Sequence, residues 1–224
     1  MKILLCYATA GEWKIIKDKI KNLNLKINLN ITYLCTGMWN YETIFNLTKT
    51  LNNQDFDIVL NIWVCGYLNE YKPRIQVART VNLSTGKELI IPIFLELASM
   101  ESIGCSEVPV TKDLSNLSFR LKQSWMETCP EVWRESLKGI SRQACLSDRQ
   151  ARDDKEKKEW QYFDMESWWI EYVCDKFKIP RVILKVPVDK IGEEVFDKEK
   201  ASKMLSDNLD YGEVIKKLMD YKIL

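Results

Sequence analysis

The strongest constraint in this sequence is the alternation that runs through its N-terminal part. Lys2–Ala8 is a short apolar run of the kind a buried strand shows. From Gly11 the apolar residues Trp13, Ile16 and Ile20 recur on one helical face. Leu25–Cys35 alternates through Ile27, Leu29, Ile31 and Tyr33, which predicts a strand with one buried face, and Gly37 breaks it. Tyr41–Leu51 is amphipathic, with Ile44, Phe45 and Leu47 apolar, and Asp57–Val64 is again apolar and β-branched up to Gly66. Strand, helix, strand, helix, strand predicts a parallel sheet covered by helices. The 224 residues suit one domain with a full core, and no internal repeat or low-complexity segment interrupts it.

The middle of the chain is patterned differently. Ile75–Leu83 and Glu88–Leu97 are strand-like on either side of Ser84-Thr85-Gly86-Lys87, a hairpin turn. Residues 97–160 form a divergent or inserted region. Within it 113–138 is weakly patterned around Trp125 and Trp133, Gly139–Leu146 reads as another strand, and Arg149–Glu159 is a mixed charge run. Periodicity returns at Asp164. Met165, Trp168, Trp169, Tyr172, Val173 and Lys176-Phe177 recur at three and four, which predicts a buried helix face ended by Pro180. Arg181–Val186 reads as a buried strand, and Tyr211–Tyr221 as a final helix with Val214, Ile215, Leu218 and Met219 on one side.

Composition narrows the chemistry. There is no histidine, which removes Ser-His and Cys-His nucleophile pairs, histidine bases and histidine metal ligands. Carboxylates, lysine, cysteine and backbone groups remain. The 33 basic and 32 acidic side chains give a net charge of +1, so neither nucleic acid nor an anionic membrane is an expected partner. Seven cysteines cannot all pair, no C-x-x-C motif occurs, and Cys6, Cys35, Cys65 and Cys174 sit in apolar runs; a reducing cytoplasm and no metal are expected. Ala8-Thr9-Ala10 mimics a signal cleavage site, but the apolar run before it is too short and Glu12 and Trp13 follow at once. No apolar stretch has the roughly 18–20 residues of a membrane span.

Three pieces then line up in order. Thr36-Gly37-Met38 follows a strand and opens a helix. Asn61-Ile62-Trp63-Val64-Cys65-Gly66 ends the next strand. Asp164-Met165-Glu166 opens a helix, and the strand after it ends in Lys185-Val186-Pro187-Val188-Asp189. This set resembles the nucleoside phosphorylase superfamily, in particular its methylthioadenosine/S-adenosylhomocysteine nucleosidase branch. That family shows a T/S-G-x-G turn, an N-x-G-x-A-G strand end, a D/E-M-E helix start and an R-x-x-S-D strand end. The resemblance implies a three-layer αβα fold with a mixed central sheet over one domain spanning 1–224, and a homodimer. It implies hydrolysis of the N-ribosyl bond of a purine nucleoside or 5′-thio analogue, without cofactor. A phosphate-dependent phosphorylase and a degenerate nucleoside-binding protein are the alternatives.

The resemblance also assigns roles. Asp189 matches the acid that protonates the leaving purine, and a turn or cap aspartate is the alternative. Glu166 matches the glutamate that holds the ribose hydroxyls, with Met165 packed on the sugar; a helix-start carboxylate favoured by the helix dipole, with Asp164 as N-cap, is the plainer account. Glu12 matches the glutamate that orients the attacking water, while Thr9-Ala10-Gly11-Glu12 equally reads as a capping box. Gly66 and Cys65 match the backbone approach to the base, and Lys185 matches a substrate-site arginine.

Several positions depart from the family pattern. Trp39 replaces the second glycine of the turn, and Trp63 replaces the glycine of the N-x-G strand end, where an indole would fill the site or reshape the loop. Val188 replaces the serine before the acid, and Lys185 replaces an arginine, keeping charge without the fork. Gln150 stands where a base-stacking phenylalanine is expected. Trp168 and Trp169, on the apolar helix face, are expected in the core or a dimer interface. Arg74 and Arg79 are available to an anion, but Pro73-Arg74 replaces an I-G-D step, so water is the expected acceptor.

Overall fold

A computed structural model of the chain describes residues 1–9, 17, 19–20, 30–37, 40–106, 160–192 and 197–221. The expectations for Glu12, Trp39, Trp125, Trp133, Gly139–Leu146, Gln150 and the charge run lie outside these residues. The strands are β1 (Lys2–Tyr7), β2 (Asn30–Cys35), β3 (Ile58–Tyr67), β4 (Ile75–Asn82), β5 (Glu88–Ile90), β6 (Ser99–Cys105), β7 (Tyr162–Asp164) and β8 (Arg181–Lys190). The helices are α1 (Asn40–Asn53), α2 (Ser167–Phe177), α3 (Lys198–Asn208) and α4 (Tyr211–Asp220).

The predicted parallel core is present: β1 pairs parallel with β2 and β3, and β3 pairs parallel with β8 along its whole length. Antiparallel pairs β3–β7, β4–β5 and β4–β8 make the sheet mixed. The order is β2-β1-β3-β7-β6-β4-β5, and β8 bonds to both β3 and β4. The strands β3, β7, β6, β4 and β8 therefore close a circuit.

Alternation along the strands splits the core into two layers. Ile3, Leu5, Leu60, Ile62, Val182, Leu184 and Val186 pack with Ala201, Leu205, Val214 and Leu218 of α3 and α4. Leu4, Cys6, Val59, Cys65 and Ile183 pack instead with Leu47 and Leu51 of α1 and Ile170, Val173 and Cys174 of α2. This is the three-layer αβα arrangement that the sequence implied.

Several local expectations need correction. The Glu88–Leu97 strand shrinks to β5, after which Gln76 Nε2 donates to Leu95 O at 2.7 Å and Leu97 N donates to Gln76 Oε1 at 2.8 Å, so a side chain replaces the ladder. The described part of β2 has no fully buried face, since it pairs only with β1 there and Ile31–Leu34 are half-buried. β6 and α3 were not anticipated; α3 starts at Asp197, whose carboxylate accepts from Glu199 N at 2.9 Å and Lys200 N at 3.1 Å. On α1 the core contacts come from Leu47 and Leu51, while Phe45 is 64% exposed. The buried face of α2 is rotated from the expected one. Ser167, Trp168, Ile170, Glu171, Val173 and Cys174 face inward, and Tyr172 and Lys176 are exposed. The cause is an ion pair: Arg181 Nε donates to Glu171 Oε2 at 2.6 Å, and Arg181 Nη2 to Glu171 Oε1, both side chains being buried. Pro180 is not the stop itself. The helix ends at Lys178, in the left-handed region at φ 56°, where Ile179 N bonds to Cys174 O at 3.1 Å.

Candidate functional site

The carboxyl ends of β3, β7 and β8 meet with the start of α2, the place where open α/β sheets put their ligands. Asp164 closes the short β7 and is tied to β6 by Ser106 N donating to Asp164 O at 2.8 Å. Its carboxylate accepts from Ser167 N at 3.3 and 3.2 Å, and from Ser167 Oγ, so the expected capping role is present although the helix begins two residues further on. Glu166 follows in the turn and is 4% exposed; Met165 between them is half-buried.

Opposite them stands Lys185, with no solvent exposure at all. Its Nζ lies 2.7 Å from Asp164 Oδ2 and 3.6 Å from Glu166 Oε2. Burial alone would depress this ammonium, but the Asp164 and Glu166 charges outweigh it and the pKa is raised. Lys185 is thus a charged lysine packed against the carboxylates.

Asp189 sits four residues along β8 from Lys185. The pairing with β3 runs in step from Val59–Arg181 to Cys65–Pro187, then slips, so that Gly66 faces Asp189 and Val188 becomes the extra residue of a bulge. Pro187, which has no N–H to give the ladder, stands at this irregularity. Val188 turns into the core at 2% exposure, whereas Asp189 is half-buried. A Cβ on Gly66 would stand 3.0 Å from Ile191 Cγ1, so a larger residue there would press on the side chain two residues beyond Asp189.

Two thiols line the same cluster. Burial, the largest influence, pushes Cys65 well above its ordinary range; Lys185 draws it down, and Asp164, Glu166 and Asp189 push it up. Cys105 is raised by burial and then by Asp164, against smaller opposing influences that include Lys185. Both are neutral fillers at neutral pH. Trp63 does not reshape the strand end: it is 6% exposed, belongs to the core, and pairs in register with Lys185. Trp168 is buried, stacked on Tyr172 at 5.3 Å between centroids, and its Nε1 donates to Lys87 O at 3.1 Å.

No family model matches the sequence, and no curated protein matches it. Solved structures do match along nearly the whole chain. A 5′-methylthioadenosine/S-adenosylhomocysteine nucleosidase from Campylobacter jejuni is 14% identical with a TM-score of 0.63, over 99% of this chain and 100% of that one. The Helicobacter pylori nucleosidase, as an aspartate-to-asparagine variant with 5′-methylthioadenosine in its active site, is 12% identical at 0.65 over 98% of each chain. A Chlamydia trachomatis nucleosidase, also an aspartate-to-asparagine variant bound to methylthioadenosine, is 14% identical at 0.59 over 97% and 99%. The fold is that of these nucleosidases.

Of the residues singled out from sequence, the nucleosidase fold gathers Cys65, Glu166, Lys185 and Asp189 around one point, with Gly66 and Met165 adjoining; Glu12 lies outside the described residues. What sequence reasoning missed is the second role of Asp164. Its cap to Ser167 is local and legible, but its bond to Lys185 spans 21 positions and carries no local signal.

Proposed function

We propose that this protein is a purine nucleosidase that hydrolyses the N-ribosyl bond of methylthioadenosine or a related purine nucleoside. Asp189 protonates the leaving base, Glu166 accepts hydrogen bonds from the ribose hydroxyls with Met165 against the sugar, and Glu12 orients the water. The chemistry needs an acid at the base and an anion near the cationic sugar of the transition state. The observation that carries the proposal is the convergence of Asp189 and Glu166 at the ends of β8 and β7 in a nucleosidase fold, with Gly66 facing Asp189. The presence of methylthioadenosine in two of the similar structures supports the choice of substrate.

Water is the acceptor that the charges favour. Among the described residues the cluster holds three carboxylates, Asp164, Glu166 and Asp189, against one ammonium, an unfavourable setting for a phosphate dianion. Arg74 is engaged by Glu213 at 3.2 Å, and Arg79 by Glu88 at 3.2 Å, by Ser102 Oγ at 3.1 Å and by the Trp160 ring. A homodimer acting in the cytoplasm belongs to the same reading. Tyr41 and Phe45 of α1 and Tyr172 of the neighbouring α2 present exposed rings for a second subunit, and Cys6, Cys35, Cys65, Cys105 and Cys174 are free.

The test is release of free base from methylthioadenosine, S-adenosylhomocysteine, adenosine and inosine, with and without phosphate. Turnover without phosphate, lost by about 1,000-fold in Asp189→Asn, is expected for a general acid. Phosphate-dependent turnover would replace water as the acceptor. No turnover, with Asp189→Asn indistinguishable from wild type, would leave a non-catalytic nucleoside-binding protein.

A further inference from the structure

A short turn carries the sugar-facing residues of the proposed site, and one side chain closes it. Met165 and Glu166 stand between the end of β7 and the start of α2, where Trp169 N and Ile170 N both donate to Glu166 O at 3.0 Å. Across the turn the Asp164 carboxylate accepts from Ser167 N at 3.2 Å and from Ser167 Oγ, three residues on. The same oxygen, Oδ2, lies 2.7 Å from Lys185 Nζ on β8, and the Asp164 carbonyl accepts from Ser106 N at 2.8 Å, just beyond β6. Donors from α2, from β8 and from the end of β6 thus meet on one buried aspartate. We propose that Asp164 is a positioning residue for the sugar-binding turn: it takes the ammonium of Lys185 and the first amide of α2 together, and so sets where Glu166 stands without touching the substrate. The proposal rests on the nucleosidase reading above.

The distances divide the lysine unevenly. Nζ is 2.7 Å from Asp164 Oδ2, within hydrogen-bond range, and 3.6 Å from Glu166 Oε2, outside it. Asp164 therefore holds the ammonium, and Glu166 feels its charge from further off. Glu166 also makes a further contact of its own; the division of the lysine does not depend on it, since it follows from the two distances alone. Take away the Asp164 charge and a buried ammonium has lost its direct partner, which is strongly unfavourable. Glu166 is the nearest carboxylate left among the described residues, so the lysine closes on it and draws its side chain from the place where the ribose hydroxyls arrive. Asparagine at position 164 still accepts from Ser167 N, so the helix cap survives while the anchor for the lysine is lost. Sugar binding suffers, and the acid at the base keeps its place on β8.

Asp164→Asn tests this in the full-length protein with methylthioadenosine as substrate. The expected result, measured below the melting transition, is a KM raised about tenfold or more with kcat within about threefold. Adding Lys185→Met removes the stranded ammonium, and the double variant is expected to bring KM back by about threefold or more. An unchanged KM in Asp164→Asn would make Asp164 a cap and nothing more, and would overturn the proposal. So would a loss confined to kcat. A KM that stays as high in the double variant would mean that Asp164 meets the substrate itself, which overturns the proposal as well. A second readout needs no turnover. The melting temperature is expected to fall by about 6–12 °C in Asp164→Asn and in Lys185→Met, and to recover by about half or more in their double variant. Glu166→Gln added to Lys185→Met recovers less, because Asp164 is still unmatched. Equal recovery from either carboxylate overturns the anchoring, even in a protein that cleaves nothing; selective recovery in an inactive wild type overturns only the nucleosidase reading. Should Asp164→Asn alone fail to fold, rescue by Lys185→Met is the same coupling in its extreme form, and a double variant that also fails to fold overturns it.

Discussion

The strand β8 is fastened to the α2 region by two buried ion clusters, one at its start and one at its middle, and they are built differently. At its start Arg181 meets Glu171 alone, one cation with one anion, in a two-pronged bond. Four residues on, Lys185 meets both Asp164 and Glu166, with Asp189 beyond, so anions exceed cations among the described residues. A buried pair in which one cation is matched by one anion in a two-pronged bond is a clamp. A cluster that gathers several carboxylates around one ammonium is the costlier arrangement, and it is the kind that functional sites tolerate. The start of α2 thus carries, five residues apart, a carboxylate in a matched pair and one assigned to the proposed site.

The comparison breaks if Glu166 and Glu171 respond alike. Glu166→Gln is expected to reduce kcat/KM for methylthioadenosine by about 10- to 100-fold, because hydrogen bonds to a charged acceptor are worth about 1.5–3 kcal/mol. Its melting temperature should hold or rise, since one of several like charges is removed from the cluster. Glu171→Gln should do the reverse. It strands Arg181 in the core, a loss of about 3 kcal/mol, with kcat unchanged. For a chain of this length that is about 6–12 °C in melting temperature. A Glu171→Gln protein that melts normally but turns over slowly would invert the assignment.

These two sites also show what the sequence could and could not convey. The apolar runs of β1, β3 and β8 were legible because burial on both faces leaves a continuous hydrophobic signature. Asp164-Met165-Glu166 and Asp189 were legible only as a motif, since nothing in a lone aspartate distinguishes a cap from an acid. The rotation of α2 was hidden because Glu171 looks like a solvent-facing residue until Arg181 is placed against it, and Tyr172 looks like core until the neighbouring layer is known. The burial of Lys185 was hidden in the same way. Read alone the residue was an arginine substitute at the substrate; its zero exposure follows from Asp164, which folding brings from 21 residues away. Helix α3 carried the signal that could have found it, Asp197 before Lys198-Glu199-Lys200, but its charge density masked the apolar face formed by Ala201 and Leu205.

Alkaline pH sharpens the contrast from another side. Burial raises the thiols of Cys6, Cys65 and Cys105 well above 9.0 and lifts Cys174 to about 12. A thiol that stays protonated when folded but ionises when unfolded destabilises the fold as pH climbs past the unfolded value. Each therefore contributes a fall of about 1.4 kcal/mol per pH unit between 9.0 and its folded pKa, and none below 9.0. Melting temperatures followed from pH 8 to 11 should drop steeply above pH 9, and Cys174→Ala, on the α2 face away from the acid cluster, should shed one proton's share of that slope. Lys185 adds to the loss only as pH rises from 10.5 toward its own raised value, so between pH 9 and 10.5 the thiols act without the ammonium and above 10.5 the two add.

The smallest effect concerns the turn that joins the two clusters. Lys178 ends α2 with φ at 56°, a conformation a β-carbon disfavours and glycine accepts freely. Lys178→Gly relieves that strain, worth about 1 kcal/mol, and gives up the exposed pair with Asp175 at 3.0 Å, worth little at the surface, together with some entropy of the unfolded chain. The net gain should be about 0.5 kcal/mol, or about 1–2 °C in melting temperature, with turnover unchanged. The turn fixes where α2 hands the chain to β8, and hence the spacing of Glu171 from Arg181 and of Glu166 from Lys185. A stabilised variant with altered KM would mean that the clamp and the site are mechanically joined through this turn; equal KM would mean that each cluster is held by its own ion pairs.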